Sequence, residues 1–243
     1  MATSLTVVAP RAPALVLDLV ADFTCPWSFL GTRRIARALL AVQGLASPPV
    51  IRWHGFRLPR VAAPASPWRE HLAQRLPAGI TVDLAERSLE EAGETLDIRF
   101  DFARITTVPD TLHAHRLVLL ASGEGLHAAV IDALFRAYFE QGRDIGDLQE
   151  LRSIGAAQGL SPAALEDFAR VSAGSGSGTD LVSDTVVAEE LRLRSLGVQN
   201  VPNLLLNGHV LVPGPAEVDT YVQALDQVLF PAADTAEAPP RLH

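Results

Sequence analysis

The first apolar run, Leu15 to Asp22 (LVLDLVAD), and the residues directly after it constrain the fold most. The run is short, partly β-branched and almost wholly apolar, which is the pattern of a strand buried on both faces. It passes through Thr24-Cys25-Pro26-Trp27-Ser28 into FLGTRRIARALLAV. That segment has helical period, and it places Phe29, Ile35, Leu39 and Leu40 on one side with the arginines opposite. Pro48 and Pro49 end the unit, and Val50 to Phe56 (VIRWHGF) reads as a second strand. The chain therefore opens as β-α-β.

From Ser66 to about Val171 the period becomes helical, near 67–75, 83–95, 110–122, 125–141, 145–157 and 161–170. Ser66-Pro67 and Ser161-Pro162 each read as a cap followed by proline at the first helical position. Gly123, Gly142 and Gly159 stand at plausible helix ends. Residues 173–178 (AGSGSG) read as a surface loop, or as a lid near a site. A helix from about Asp180 to Leu196 stops at Gly197. Asn207-Gly208, between two β-like runs, predicts a tight hairpin because both turn positions need φ > 0. A last amphipathic helix spans roughly Pro215 to Leu229. Residues 1–13 read as loose, and the Pro/Ala-rich end as disordered. The order β-α-β, helical block, α-β-β-α is that of an α/β, thioredoxin-like fold with an inserted all-helical domain. The expected parts are 14–62 and 173–230 for the thioredoxin-like domain, 63–172 for the insertion and 231–243 for the tail.

Composition removes rival chemistries. All 20 basic residues are arginine, so no Schiff-base lysine, pyridoxal phosphate site or Gly-Lys-Ser/Thr phosphate loop can form. One cysteine in 243 residues excludes an intramolecular disulfide, a Cys-rich zinc site and a Cys-ligated iron–sulfur cluster. The formal charge of -8 argues against a nucleic-acid surface. No apolar run reaches the ~18 residues of a membrane helix. Asp18 and Asp22 break the N-terminal apolar stretch, which reads as a strand rather than a signal peptide. A cytoplasmic protein is expected.

Cys25 follows a buried strand and opens a helix. Unpaired N–H groups and the positive end of the helix dipole favour a thiolate there. A pKa lowered from ~8.5 to ~5 would represent roughly 4.8 kcal/mol in favour of the anion. Ser28, one turn on, can offer its hydroxyl to the sulfur. The alternative is a buried, inert cysteine, a common fate of the residue. Val201-Pro202, just before the hairpin, reads either as an ordinary turn or as a proline that invites a cis bond at a strand entrance.

Together, DFTCPWSFLG, WHGFRLP and GVQNVPNLLLNGHVLVPGP resemble the DsbA family, particularly its FrnE-like branch, as do PDTLHAHRL and LFRAYFEQGRDIGDLQEL in the middle. The resemblance covers about residues 15–230. It implies a nucleophile at Cys25, a cis-proline at Pro202, Val201 facing the sulfur to offer backbone hydrogen bonds to a bound thiol or peptide, and Trp27 beside it. Pro26 and Thr24 complete the motif. Members that make and break disulfides carry Cys-Pro-Trp-Cys, whereas Ser28 stands fourth here. Cys25 could then form a mixed disulfide that only an external thiol resolves. The family's Pro-Asn-Thr is Pro109-Asp110-Thr111 in this chain, and a carboxylate cannot donate to a ligand as an amide does.

The same segment resembles the kappa-class glutathione transferases and 2-hydroxychromene-2-carboxylate isomerases, in which a serine at the position of Cys25 activates glutathione. Three readings follow: a monothiol oxidoreductase, a glutathione-dependent isomerase or transferase assisted by Ser28 and Thr24, and a non-catalytic scaffold. The expected partner is a small-molecule thiol or disulfide, with glutathione as a possible cosubstrate and a homodimer implied by the resemblance. No metal is expected, because His113 and His115 diverge at i,i+2 on a helix. His54 reads as packed, Glu86 to Glu94 as a solvated face, Trp68 as core or cleft, and Arg33 and Arg34 as surface or as carboxylate attractors.

Overall fold

In the computed structural model, residues 15–43, 45, 47–59, 66–172, 181–208 and 210–230 are described. The expected loose N-terminus, Gly/Ser loop and C-terminal tail lie outside them. The central strand β1 (Val16–Ala21) pairs in parallel with β2 (Val50–Gly55). On its other edge it pairs antiparallel with β5 (Asn203–Leu206), and β5 with β6 (Val210–Pro213). The sheet order is β2-β1-β5-β6.

Period-2 alternation decides what each face packs against. Leu17, Leu19 and Ala21 join Leu204 and Leu206 beneath α1 (Pro26–Ala41) and α9 (Val218–Leu229), where Ile35, Ala38, Tyr221 and Leu225 are buried. Val20 points the other way, to Phe56 and to Leu193 of α8 (Leu181–Ser195). Asn207 and Gly208 have the expected positive φ, 48° and 74°. Leu206 pairs with Val210, so three residues rather than two close the hairpin. Asn207 also ties the turn to β1, its Oδ1 accepting from the Val16 N–H at 2.7 Å.

Between these halves lie α2 (Trp68–Ala73), α3 (Val82–Glu94), α4 (Leu112–Gly123), α5 (His127–Phe139), α6 (Leu148–Ala157) and α7 (Pro162–Ser172). A two-residue ladder joins β3 (Ser66–Pro67) to β4 (Thr107–Val108). Ser66-Pro67 is therefore strand and not a helical cap; Pro67 is extended (φ -57°, ψ 139°) and the helix starts at Trp68. Ser161 does cap α7, accepting from the Ala164 N–H at 3.2 Å. The helical core continues into the first βα unit. Phe29 stacks on Phe135 at 5.0 Å, and Phe23 lies 4.9 Å from both Trp53 and Phe135.

Two expected helix faces differ. Leu40 of α1 is 88% exposed, whereas Arg34 is buried, because its guanidinium donates to the Pro215 carbonyl at 2.9 Å and pairs with Glu217. Glu86 of α3 faces inward, accepting from Trp68 Nε1 at 3.1 Å and pairing with Arg69. The last helix begins at Val218, three residues later than its period suggested. Among the described residues, no helix is long and apolar enough to cross a membrane.

Candidate functional site

The end of β1 and the start of α1 position Cys25. It is the N-cap residue of α1, extended at φ -99° and ψ 110°, with Pro26 as the first helical residue. A proline is tolerated there because its missing N–H would have no helical partner. The Cys25 carbonyl accepts from the Ser28 N–H at 3.0 Å, and the Cys25 N–H donates to the Asp22 carbonyl at 3.2 Å. The sulfur lies 3.6 Å from the Val201 carbonyl, which accepts its S–H hydrogen bond, and the Val201–Pro202 bond is cis. Gly31 lets α1 come this close: a Cβ there would stand 3.3 Å from Pro202 Cγ. Two segments 176 residues apart thus meet at one sulfur.

Cys25 is 3% exposed, and it forms the floor of a cleft of about 790 Å³. Trp27, Leu30, Leu58, Leu76, Ile80, Leu84 and Leu89 give the cleft apolar walls, and Asn200 and Val201 close one side. Trp27 therefore borders the cleft, while Trp68 is core, stacked on Phe102 at 5.4 Å.

Burial pushes the Cys25 thiol up to about 11, against the Ser28 hydroxyl and the N–H groups of Ser28 and Trp27, which favour the anion. The Asp22 charge adds to the rise. The helix start does supply the donors expected of it, but desolvation of the anion outweighs them. The expected low-pKa thiolate is corrected accordingly: at neutral pH Cys25 is a thiol. Ser28 is fully buried, and among the described residues its hydroxyl has no hydrogen-bond partner. The nearest use for that hydroxyl is a charged sulfur.

Behind the sulfur, Asp22 organises a buried network. Its Oδ2 accepts from the Thr24 hydroxyl at 2.8 Å and the Leu58 N–H at 2.9 Å. Its Oδ1 accepts from the Thr111 hydroxyl at 2.8 Å and lies 3.3 Å from His115 Nε2. Trp53 Nε1 donates to His115 Nδ1 at 3.0 Å, which leaves the proton on Nε2 to face Asp22. Burial alone would raise the Asp22 carboxyl, but His115, Leu58 and Thr111 reverse that and hold it below the ordinary value. The Thr24 hydroxyl is thus given to Asp22 rather than turned toward a bound thiol.

Asp110 does not line the cleft. It borders an adjoining depression with Arg57, Glu190 and Arg194, and its Oδ1 accepts from the Leu112 N–H at 2.9 Å. Of the nominated arginines, Arg33 pairs with Asp132 at 2.6 Å, away from the sulfur, while Arg34 reaches the cleft already paired with Glu217. His54 is held between Asp18 and Glu189, at 2.8 and 2.7 Å. Sequence reasoning missed Asp22, Thr111 and Arg75. Arg75 lines the cleft within reach of the Cys25 charge. Asp22 stood at the end of an apolar strand and Thr111 within the Pro109-Asp110-Thr111 motif, but neither was given a role there, and nothing marked Arg75.

Residues 16–226 match the family described as DSBA-like thioredoxin domain. The chain belongs to that family. A probable DsbA oxidoreductase from Streptomyces coelicolor is 22% identical, with 94% of each chain covered and a TM-score of 0.76. A 2-hydroxychromene-2-carboxylate isomerase is 16% identical over 88% of this chain and 96% of its own, at 0.63. The cytosolic disulfide reductase DsbM from Pseudomonas aeruginosa, in its structure with GSH, is 22% identical over 88% and 98%, at 0.57. None of the curated proteins matches. These likenesses establish the thioredoxin fold; within the family motif, this chain carries Cys-Pro-Trp-Ser.

Proposed function

We propose that the protein is a monothiol thiol–disulfide oxidoreductase. The observation that carries this reading is the Cys25 sulfur at the floor of an apolar cleft, between the start of α1 and the Val201–Pro202 loop, with the unpartnered Ser28 hydroxyl beside it. Cys25, a thiol at rest, first loses its proton to solvent, and the thiolate, held by the Ser28 hydroxyl and the N–H groups of Trp27 and Ser28, attacks one sulfur of a disulfide. The new S–S bond joins Cys25 to that sulfur, and the other half leaves as a thiolate with the electron pair of the broken bond. An external thiolate then attacks the mixed disulfide, forms a disulfide with the bound half and returns Cys25 as thiolate. Ser28 cannot attack as a resolving cysteine would, so the cycle needs the external thiol, for which glutathione suits. A thiol-rich compartment such as the cytoplasm supports that turnover.

The test is glutathione-dependent reduction of a small mixed disulfide by wild type and Cys25→Ser. The variant is expected to lose all turnover above the uncatalysed rate; undiminished turnover overturns the reading.

One observation favours a second reading. Cys25 is protonated and the buried Ser28 hydroxyl beside it lacks an acceptor among the described residues, so the site offers a guest thiolate hydrogen-bond donors, as a glutathione-dependent isomerase or transferase would use. That reading expects saturable glutathione binding by calorimetry that persists in Cys25→Ser.

A further inference from the structure

The cleft over Cys25 holds few charges, and they are not balanced. Arg34 and Glu217 pair with each other at 2.7 Å. Arg75 is different. Its Nη1 donates to the His71 carbonyl at 2.8 Å and its Nη2 to the Pro59 carbonyl, and no ion pair joins it to a carboxylate among the described residues. Those carbonyls fix the guanidinium in place without neutralising it. His71 adds no second cation beside it: burial, and then the Arg75 charge, push that imidazole down to about 4. Burial also lowers Arg75 itself, while the charges of Asp22 and of an ionised Cys25 pull the other way. The Asp22 oxygens are already taken by Thr24, Leu58, Thr111 and His115.

A partly buried cation without a counter-ion carries an unmet desolvation cost, and a bound carboxylate offsets it through charge-assisted hydrogen bonds. Apart from Ser88 and Asn200 the rest of the wall is apolar, with Ile80 and Leu84 at the rim 42% and 43% exposed. The volume lies in the range of a small-molecule site. We infer that Arg75 is the recognition residue for the carboxylate of a small, largely apolar thiol or disulfide acid, whose sulfur meets Cys25 while its body lies against Trp27, Leu58 and Leu84.

This inference rests on the exchange reading of Cys25, yet its test needs only the first half of the cycle. Two aryl disulfides serve as probes: 5,5′-dithiobis(2-nitrobenzoate), which carries a carboxylate on each ring, and neutral 4,4′-dithiodipyridine. In each reaction the Cys25 thiolate takes one arylthio group and releases the other as a coloured thiolate or thione. Wild type, Arg75→Met and Arg75→Lys are compared in second-order rate at fixed pH and ionic strength, with folding checked by circular dichroism. For Arg75→Met the carboxylate disulfide is expected to slow about tenfold more than the neutral one, equivalent to about 1.4 kcal/mol. Arg75→Lys should recover part of that selectivity.

Equal slowing of both probes would mean that Arg75 acts on the ionisation of the sulfur or on the fold, and would overturn the assignment. So would no slowing of either. The exchange reading fails separately, as absence of turnover with an external thiol in wild type, and the ratio of probe rates remains readable in that case.

Discussion

At the scale of single residues, the chemistry turns on a contest at one sulfur. Burial favours the thiol; the Ser28 hydroxyl and the N–H groups of Trp27 and Ser28 favour the thiolate. With the balance near 11, the alkylation rate of Cys25 by iodoacetamide should climb about tenfold per pH unit from 7 to 10 without reaching a plateau. A plateau below pH 8 would refute this. Stability follows from the same shift. A group whose folded pKa lies above its unfolded value of about 9 contributes fully below pH 9 and loses that contribution as pH rises through 11. Two units correspond to about 3 kcal/mol, so urea denaturation between pH 9 and 11 should show a loss of that order that Cys25→Ser lacks. Ser28→Ala separates the two roles of the hydroxyl. Alkylation at pH 8 should slow about threefold to tenfold, since a hydrogen bond to a charged group is lost. Stability should stay within about 1 kcal/mol, because the buried hydroxyl has no partner to lose. A large loss of stability with an unchanged rate would contradict that division.

At the scale of elements, glycines set how closely the pieces approach. A Cβ at Gly55, the last residue of β2, would stand 2.7 Å from the His115 ring, closer than real contacts allow. Gly55→Ala is expected to drive His115 off Asp22 and to cost about 1–3 kcal/mol, as overpacking does. In NMR spectra, His115 Nδ1 and the Trp53 indole N–H should shift together, and an unperturbed indole signal would count against the linkage. Gly55 carried no such message in the sequence, because its constraint comes from α4, 60 residues later. That contrast explains what the sequence could disclose. The β1-Cys25-α1 junction, the Asn207-Gly208 turn and the Pro202 entrance are encoded within a few residues each, by period and turn chemistry. The β3–β4 ladder is two residues long and has no period to detect. Arg34 lay on the expected polar face of α1 but is buried, because its acceptors lie more than 180 residues away. The partners of Asp22 are separated from it by 2, 36, 89 and 93 residues, so its network exists only once the chain has folded.

At the scale of the whole molecule, Asp22 joins stability to reactivity. Its four partners come from the Cys25 motif, the segment after β2 and the start of α4, so the carboxylate ties the sheet to the helices beside the sulfur. Aromatic packing of Phe23 and Phe29 on Phe135 runs alongside that tie. The same charge sits close enough to the thiol to oppose its ionisation. Asp22→Asn keeps the shape and removes the charge, and it turns an NH₂ toward donors that previously met a carboxylate oxygen. Breaking a buried, charge-paired network of this kind costs about 3–5 kcal/mol when a partner is deleted outright, and the isosteric amide is expected to cost about 2–4 kcal/mol. Cys25 should become easier to ionise, with alkylation at pH 8 faster than in wild type. The two effects are read by urea denaturation and by the pH dependence of the iodoacetamide rate on the folded protein. Slower alkylation would mean that Asp22 assists the sulfur instead of restraining it, and unchanged stability would mean that the network does not hold the two halves together.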